Sequence, residues 1–151
     1  MPESVLAEAQ LRDRRTILSK KRIQPKGLFQ RKLKDHVLYS HVVVASGKSL
    51  VFIAGQLSRD REGNIVGPHD MRAQIRQVGE NLRIALAEAG AGADDLVKTT
   101  TYVTDIDEFF RHPDVRSGIF GQSLPTSTTV EVRRLSHPDL LVEIEAIAMI
   151  D

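Results

Sequence analysis

Two glutamates near the C-terminus are the side chains best suited to acid–base chemistry. Glu143 and Glu145 stand two residues apart in an otherwise apolar run, LLVEIEAIAMI. In a β-strand this spacing puts both carboxylates on one face, roughly 6 to 7 Å apart. Apolar surroundings raise a carboxyl pKa toward the range that is useful for proton transfer. The same residues also suit an ion pair with Arg133 or Arg134, or with a neighbouring subunit, so both interpretations stay open.

A run of hydroxyl side chains raises a second question. Residues 126–129, Thr-Ser-Thr-Thr, follow Pro125 and lead into the β-rich run STTVEVRRL. Hydroxyl groups can hold a ligand through neutral hydrogen bonds, or they can simply end a loop. The residues alone do not decide between the two.

Other chemistries find little support. No G-x-S-x-G, P-loop or G-x-G-x-x-G motif is present, which argues against serine hydrolases and nucleotide-binding enzymes. The chain has no cysteine, and its five histidines lack the spacing of metal ligands. His41, close to Tyr39, is the most interesting of the five, although a lone histidine in a strand most often has a structural role.

The elements that must position these residues are predicted in the order β-β-α-β-α-β-β. The strands are YSHVVVAS, SLVFIAG, LVKTTTYVT, STTVEVRRL and LLVEIEAIAMI. Apolar residues three and four positions apart predict the main helix after Pro68: Met71, Ile75, Val78, Leu82, Leu86 and Ala89. A shorter helix is expected from Ile106 to Phe120, with Pro113 inside it. This order predicts an α+β domain with a mixed β-sheet and two helices on one face.

The last predicted strand has two apolar faces. Val142 and Ile144 point to one side of the sheet, whereas Ile147 and Met149 share the other side with the two glutamates. Helices on one face leave the second apolar face uncovered, so we expect oligomerisation through it.

The N-terminal region differs in charge from the rest. Residues 1–36 contain ten Lys or Arg against four Asp or Glu, and residues 37–151 contain eleven against sixteen. We predict a basic extension over 1–36, with a helix over 3–22, and one domain over 37–151. A basic arm can bind nucleic acid, but a single aromatic residue, Phe29, stands among the basic ones to stack on bases, which argues against that partner.

Composition and the N-terminal sequence predict a cytoplasmic protein. The N-terminus lacks the apolar core of a signal peptide, and no apolar run is long enough to cross a membrane. The absence of cysteine fits a reducing compartment.

Three segments together resemble the YjgF/RidA family of reactive-intermediate deaminases. They are FIAGQLS, AQIRQVGENLRIALAEAGAGADDLVKTTTYVTDIDEF and PTSTTVEVRRL…LLVEIEAIA, within a match from about Tyr39 to Ile150. The resemblance implies a chorismate-mutase-like fold and a homotrimer with small-molecule clefts between subunits. It also implies hydrolysis of imines or enamines to a carbonyl compound and ammonia, without cofactor or metal.

The resemblance also implies site residues. Glu143 corresponds to the acidic residue that positions or activates water, and Tyr39 to the tyrosine of the cleft. Gly55 and Thr129 correspond to positions where the main chain faces the ligand. The family arginine that binds the substrate carboxylate is replaced here by Ser127.

Two further positions depart from the family pattern. Of all the departures, the replacement of the arginine is expected to change substrate binding most. A small hydroxyl residue is replaced by Ala54, and Pro113 stands near the position of a family asparagine. A serine hydroxyl has neither the charge nor the fork geometry of a guanidinium. We therefore expect an imine or enamine substrate that is not anchored by an α-carboxylate, with Ser127, Thr128 and Thr129 giving neutral hydrogen bonds. The alternatives are a non-catalytic trimer that binds a metabolite or stabilises a partner and, third, RNA binding through the basic arm.

Overall fold

The structure, a computed structural model, describes residues 19–30, 32–33 and 35–151. In chain order the elements are β1 (Ser19–Ile23), β2 (Lys32–Leu33), β3 (His36–Val37), β4 (Val42–Ser46), β5 (Ser49–Leu57), α1 (Met71–Glu88), a 3₁₀ turn (Ala93–Asp95), β6 (Leu96–Val103), α2 (Ile106–Phe110), α3 (Pro113–Phe120), β7 (Thr126–Glu131) and β8 (Val142–Ile150). From β4 onward this is the predicted order, with the second helix divided in two. The α+β class is therefore confirmed.

The central sheet has four strands in the order β5-β8-β6-β7. Strand β8 runs antiparallel to β5 and β6, whereas β7 runs parallel to β6. A parallel pair needs a crossover connection, and α2 and α3 supply it. Strand β4 does not continue this sheet but pairs with β1, from Ser19 opposite Ser46 to Ile23 opposite Val42.

Helix α1 forms the core with the sheet because its apolar stripe faces the strands. The residues predicted for this stripe are buried, with the exception of Ala89, which ends the helix: Met71, Ile75, Val78, Leu82 and Leu86. Asp70 caps the helix N-terminus by accepting a hydrogen bond from the backbone N–H of Ala73 at 2.9 Å. Beyond the C-terminus, Gly90 has φ = 70°, a conformation that suits glycine and ends the helix.

The second predicted helix is divided at Pro113. Helix α2 ends at Phe110, and Pro113 occupies the first turn of α3, where its missing N–H costs nothing. A two-pronged ion pair between Arg72 on α1 and Asp114 on α3, at 3.0 and 2.5 Å, joins the two helices at the surface.

The two faces of the sheet have different surroundings. On the inner face, toward the helices, Val142, Ile144, Ala146 and Ala148 of β8 are almost fully buried. On the outer face, Phe52 is 72% exposed and Leu50 is 53% exposed. The alternation predicted for β8 is confirmed, and an apolar surface remains on the outer face in the described residues.

The helix predicted over 3–22 is wrong at its C-terminal end. Residues 19–22 belong to β1, because their backbone groups are hydrogen-bonded to β4 along a register of five residue pairs. Residues 3–18 lie outside the described residues, and the boundary of the basic extension at residue 36 stays a prediction. No helix in the described ranges is long and apolar enough to span a membrane.

Candidate functional site

Glu143 lies on the outer face of β8, between two other strands. Its register partners are Leu57 on β5 and Tyr102 on β6. A β-bulge in β5 brings the backbone of Gly55 against the Glu143 side chain. A Cβ atom at position 55 would overlap the carboxylate and would lie only 2.8 Å from Cδ of Glu143. The sequence therefore needs glycine at this position for Glu143 to keep its place.

The surroundings of Glu143 disfavour its charged form. Burial raises the pKa of Glu143 above its ordinary value, and the negative charge of Glu145 raises that pKa further. Glu145 is exposed and accepts a hydrogen bond from the Tyr102 hydroxyl at 3.3 Å. Desolvation first, and then Glu145, raises the pKa of Tyr102 as well. A half-buried carboxylate with a raised pKa is suited to accept a proton and release it again.

The ion-pair interpretation of the two glutamates is wrong within the chain. Strand β7 ends at Glu131, so Arg133 and Arg134 follow the strand instead of pairing beside β8. In the part of the chain that the structure describes, no ion pair joins either arginine to Glu143 or Glu145. A contact with a neighbouring subunit stays a prediction.

The hydroxyl run is divided between the two sheet faces. Ser127 pairs with the buried Thr99, and Thr129 pairs with the buried Thr101, so both point toward the inner face. Thr128 alternates with them and points toward the outer face. The first member of the run, Thr126, donates a hydrogen bond to the Val97 carbonyl at 2.9 Å and so is structural.

Ser127 and Thr129 line a cavity of about 460 Å³ on the inner face. Thr101 and Ile144 of the sheet also line it, and most residues between Arg116 on α3 and Pro125 in the following loop form another part of its wall. This volume is in the range of small-molecule sites. The inner-face hydroxyls therefore border a pocket instead of merely ending a loop.

Arg116 is a pocket residue that the sequence analysis missed. It is half-buried, lines the same cavity as Ser127, and contacts Phe109 and Phe110, with 4.5 Å between its guanidinium carbon and each ring centroid. The available signal was the phenylalanine pair of α2, six and seven residues before the arginine. Because a break at Pro113 lies between them, helical spacing alone could not place these side chains together.

Tyr39 lies at the entrance to β7, apart from Glu143. The backbone N–H of its neighbour, Ser40, donates to the Pro125 carbonyl at 3.2 Å, and Gln24 donates to the Tyr39 carbonyl at 2.7 Å. Its ring contacts the ring of His41 edge-on, with 5.1 Å between centroids. His41 is half-buried and its Nε2 lies 3.0 Å from the Phe29 carbonyl, which fits the structural interpretation.

Two groups of site residues therefore emerge. The carboxylate half-site consists of Gly55, Glu143 and Glu145 on the outer face, and the pocket half-site consists of the cavity beside Ser127 and Thr129 on the inner face. The sheet itself lies between the two, so within one chain they cannot contact the same small ligand. Among the described residues, no group of three or more His, Asp or Glu side chains is arranged to hold a metal ion.

Comparison with known proteins agrees with this fold. The family described as Endoribonuclease L-PSP matches residues 29–150. A Rid-family protein from Yersinia pestis, whose function is described as unknown, superposes with a TM-score of 0.76 at 29% identity, covering 86% of this chain and 98% of that one.

Similar protein sequences support the same family. A RutC family protein of Pyrococcus abyssi is 41% identical over 100 residues, which is 66% of this chain and 78% of the relative. The 2-iminobutanoate/2-iminopropanoate deaminase of Salmonella typhimurium is 36% identical over 104 residues, 67% of this chain and 80% of the enzyme. The resemblance stated from the sequence is confirmed, and the chain belongs to the YjgF/RidA family.

Proposed function

We propose that this protein hydrolyses a reactive imine or enamine to a carbonyl compound and ammonia. The observation that carries the proposal is the Glu143 carboxylate, half-buried against the Gly55 backbone with a raised pKa. The similarity to an imine deaminase supports the reaction class. The proposed chemistry needs no cofactor, because an activated water and a proton carrier suffice.

Glu143 acts as the proton carrier in this reaction. With the substrate in its protonated iminium form, the carboxylate takes a proton from water as the water oxygen bonds to the C=N carbon, which gives a neutral carbinolamine. Glu143 returns this proton to the nitrogen, the C–N bond breaks with its electron pair going to ammonia, and the hydroxyl proton passes to solvent as the carbonyl forms. The proton that Glu143 gains in the first step can be returned in the second, and the raised pKa helps this return.

Association of subunits completes the proposed site. The exposed Phe52 and Leu50 lie on the face that carries Glu143, so covering this apolar surface brings the carboxylate half-site next to another chain. If that chain contributes its pocket half-site, a ligand contacts Glu143 and Gly55 of one copy and Ser127 and Thr129 of the next. We propose a homotrimer for this arrangement, with Tyr39 beside the cleft and Thr128 toward the subunit contact.

Ser127 changes how the substrate is anchored. A hydroxyl at this position gives a neutral hydrogen bond instead of a bidentate ion pair. The substrate is therefore a neutral imine or one anchored at a different point, and it is not gripped through an α-carboxylate at residue 127.

Ser127 also favours a second candidate, a trimer that binds a metabolite without turnover. RNA, the substrate class in the name of the matching family, is the third candidate. If RNA binds through the basic arm, the affinity falls steeply with salt and is lost when residues 1–36 are deleted.

The test is ammonia release from freshly generated imines and enamines, both neutral and carboxylate-bearing. Wild type is compared with Glu143→Gln and Ser127→Arg. The glutamine variant is expected to fold, because an amide avoids the desolvation that raises the pKa of Glu143. Wild-type acceleration that Glu143→Gln abolishes supports the hydrolase, and a gain on 2-aminoacrylate by Ser127→Arg supports the anchoring argument. If no variant exceeds the buffer rate, the enzyme proposal is wrong and metabolite binding takes its place.

A further inference from the structure

The pocket half-site contains a guanidinium on a different wall from the one that carries Ser127. Arg116 comes from α3, whereas Ser127 and Thr129 come from β7, and all three line the same cavity. The cavity thus combines a cation with four hydroxyl side chains, since Thr101 of β6 and Ser117 of α3 also belong to its lining.

The contacts of Arg116 hold its guanidinium in a defined orientation. The guanidinium carbon lies 4.5 Å from the ring centroids of both Phe109 and Phe110. The two rings are inclined to each other by 68°, so the guanidinium can lie flat on at most one of them. The contacts with both rings reduce the side-chain freedom that would be lost on binding an anion.

The charges around the cavity favour an anionic ligand on the α3 side. Arg116 is half-buried, so its charge is less screened by solvent than that of a fully exposed arginine. The lining also includes one carboxylate, Asp35, which is exposed and belongs to the segment before Val37. Because its charge faces water, Asp35 offsets the field of Arg116 only in part.

We propose that Arg116 binds a carboxylate of the substrate, which makes the substrate an imine or enamine whose acid group is separated from the C=N carbon by intervening chain atoms. This inference rests on the proposed function for the C=N group. The cation stands on α3 instead of at residue 127, so the carboxylate is bound at another wall of the cavity. Ser127 and Thr129 then serve the uncharged part of the molecule.

Binding and turnover test this assignment separately. Three ketone products serve as binding probes: 4-oxopentanoate, with a distant carboxylate, 2-oxobutanoate, with an α-carboxylate, and butanone, with none. Wild type binds 4-oxopentanoate most tightly. Arg116→Gln weakens that binding by roughly ten- to a hundredfold, as expected for the loss of a charged hydrogen bond, and leaves butanone binding unchanged. Arg116→Lys keeps the charge without the fork and gives an intermediate affinity.

Arg111→Gln is the matched control. Arg111 directly follows α2, is 71% exposed and pairs with Glu108, so its loss removes the same charge outside the cavity. This variant keeps wild-type affinity for all three probes, and the thermal melting of every variant is recorded to show that it is folded.

Two results overturn the assignment: wild type binds 4-oxopentanoate no more tightly than butanone, or Arg116→Gln and Arg111→Gln behave alike. Ammonia release distinguishes this failure from a failure of the proposed function. Turnover that depends on Glu143 but not on Arg116 retains the hydrolase and rejects the carboxylate contact. Binding that depends on Arg116, without turnover of any imine, retains the carboxylate contact and rejects the hydrolase.

Discussion

The two faces of the central sheet show how neighbouring residues of one strand serve different purposes. On β5, Ile53 is 8% exposed and belongs to the core under the helices, whereas the adjacent Phe52 is 72% exposed on the outer face. The inner face is covered by α1, and its apolar residues are used to fold the chain. The outer face carries apolar residues of similar size together with Glu143. We infer that the outer face is used for association and that its carboxylate becomes part of a site there.

The largest effect is expected from a charge on the outer face. Phe52→Glu puts an unpaired carboxylate into the proposed subunit contact, at a cost on the order of 3 kcal/mol, which weakens association by roughly a hundredfold or more. Light scattering measures the mass of the particle. The control is Ile84→Glu, because Ile84 is 49% exposed on α1, away from the outer face. Equal masses for the two variants would contradict the distinction between the faces.

A substitution on the inner face is expected to lower folding stability instead of weakening association. Ile53→Ala removes buried methyl groups from the core and lowers the free energy of unfolding by about 2 to 5 kcal/mol. Denaturant unfolding measures the change at fixed protein concentration. The mass of the assembled particle in native conditions stays that of wild type. If Ile53→Ala dissociated the particle without lowering stability, residue 53 would belong to the contact surface and not to the core.

Gly55 links the outer face to the chemistry. Gly55→Ala places a methyl group where the Glu143 carboxylate now lies, so the carboxylate must move. We expect ammonia release to fall by roughly ten- to a hundredfold, since small displacements of a catalytic group have effects of this size. Gly92→Ala is the control, because a Cβ there meets nothing within 4 Å. Unchanged turnover in Gly55→Ala would show that the position of Glu143 is not needed.

The smallest expected effect is a shift of the pH profile. Burial first and Glu145 second raise the pKa of Glu143, and a general base must be deprotonated to act. Glu145→Gln removes the repulsion, so the acidic limb of the turnover profile moves to lower pH. Glu80→Gln, on the exposed side of α1, leaves the limb in place. A shift to higher pH in Glu145→Gln would contradict the charge effect on Glu143.

Local patterns predicted most of the fold. The stripe of α1 and the two faces of β8 depend on side-chain periodicity, which the sequence shows directly. Strand β1 was missed because SKKRI shows no apolar alternation, and its backbone is held by β4 instead. The parallel pairing of β7 with β6 is likewise a contact between distant segments that periodicity does not encode.

The candidate site could be predicted only in part. The resemblance identified Glu143, Gly55 and Ser127, and the structure shows why glycine is needed at position 55. The division of the site between two sheet faces depends on strand register, which follows from the pairing of β6 with β7 and β8. Arg116 could not be found from spacing, because its place beside Ser127 depends on how α3 packs over the sheet.

Subunit mixing tests the central claim most directly. The claim is that Glu143 of one copy and the pocket of another copy together form one active site. Glu143→Gln and Ser127→Trp, which fills the pocket with a large ring, are each expected to be inactive alone. Co-expressed in equal amounts, they form some clefts in which both half-sites are wild type, about a quarter of the total if a trimer assembles at random. Ammonia release at about a quarter of the wild-type rate supports the account. If mixed particles form, as mass spectrometry would show, and remain as inactive as the separate variants, the two half-sites do not make one active site.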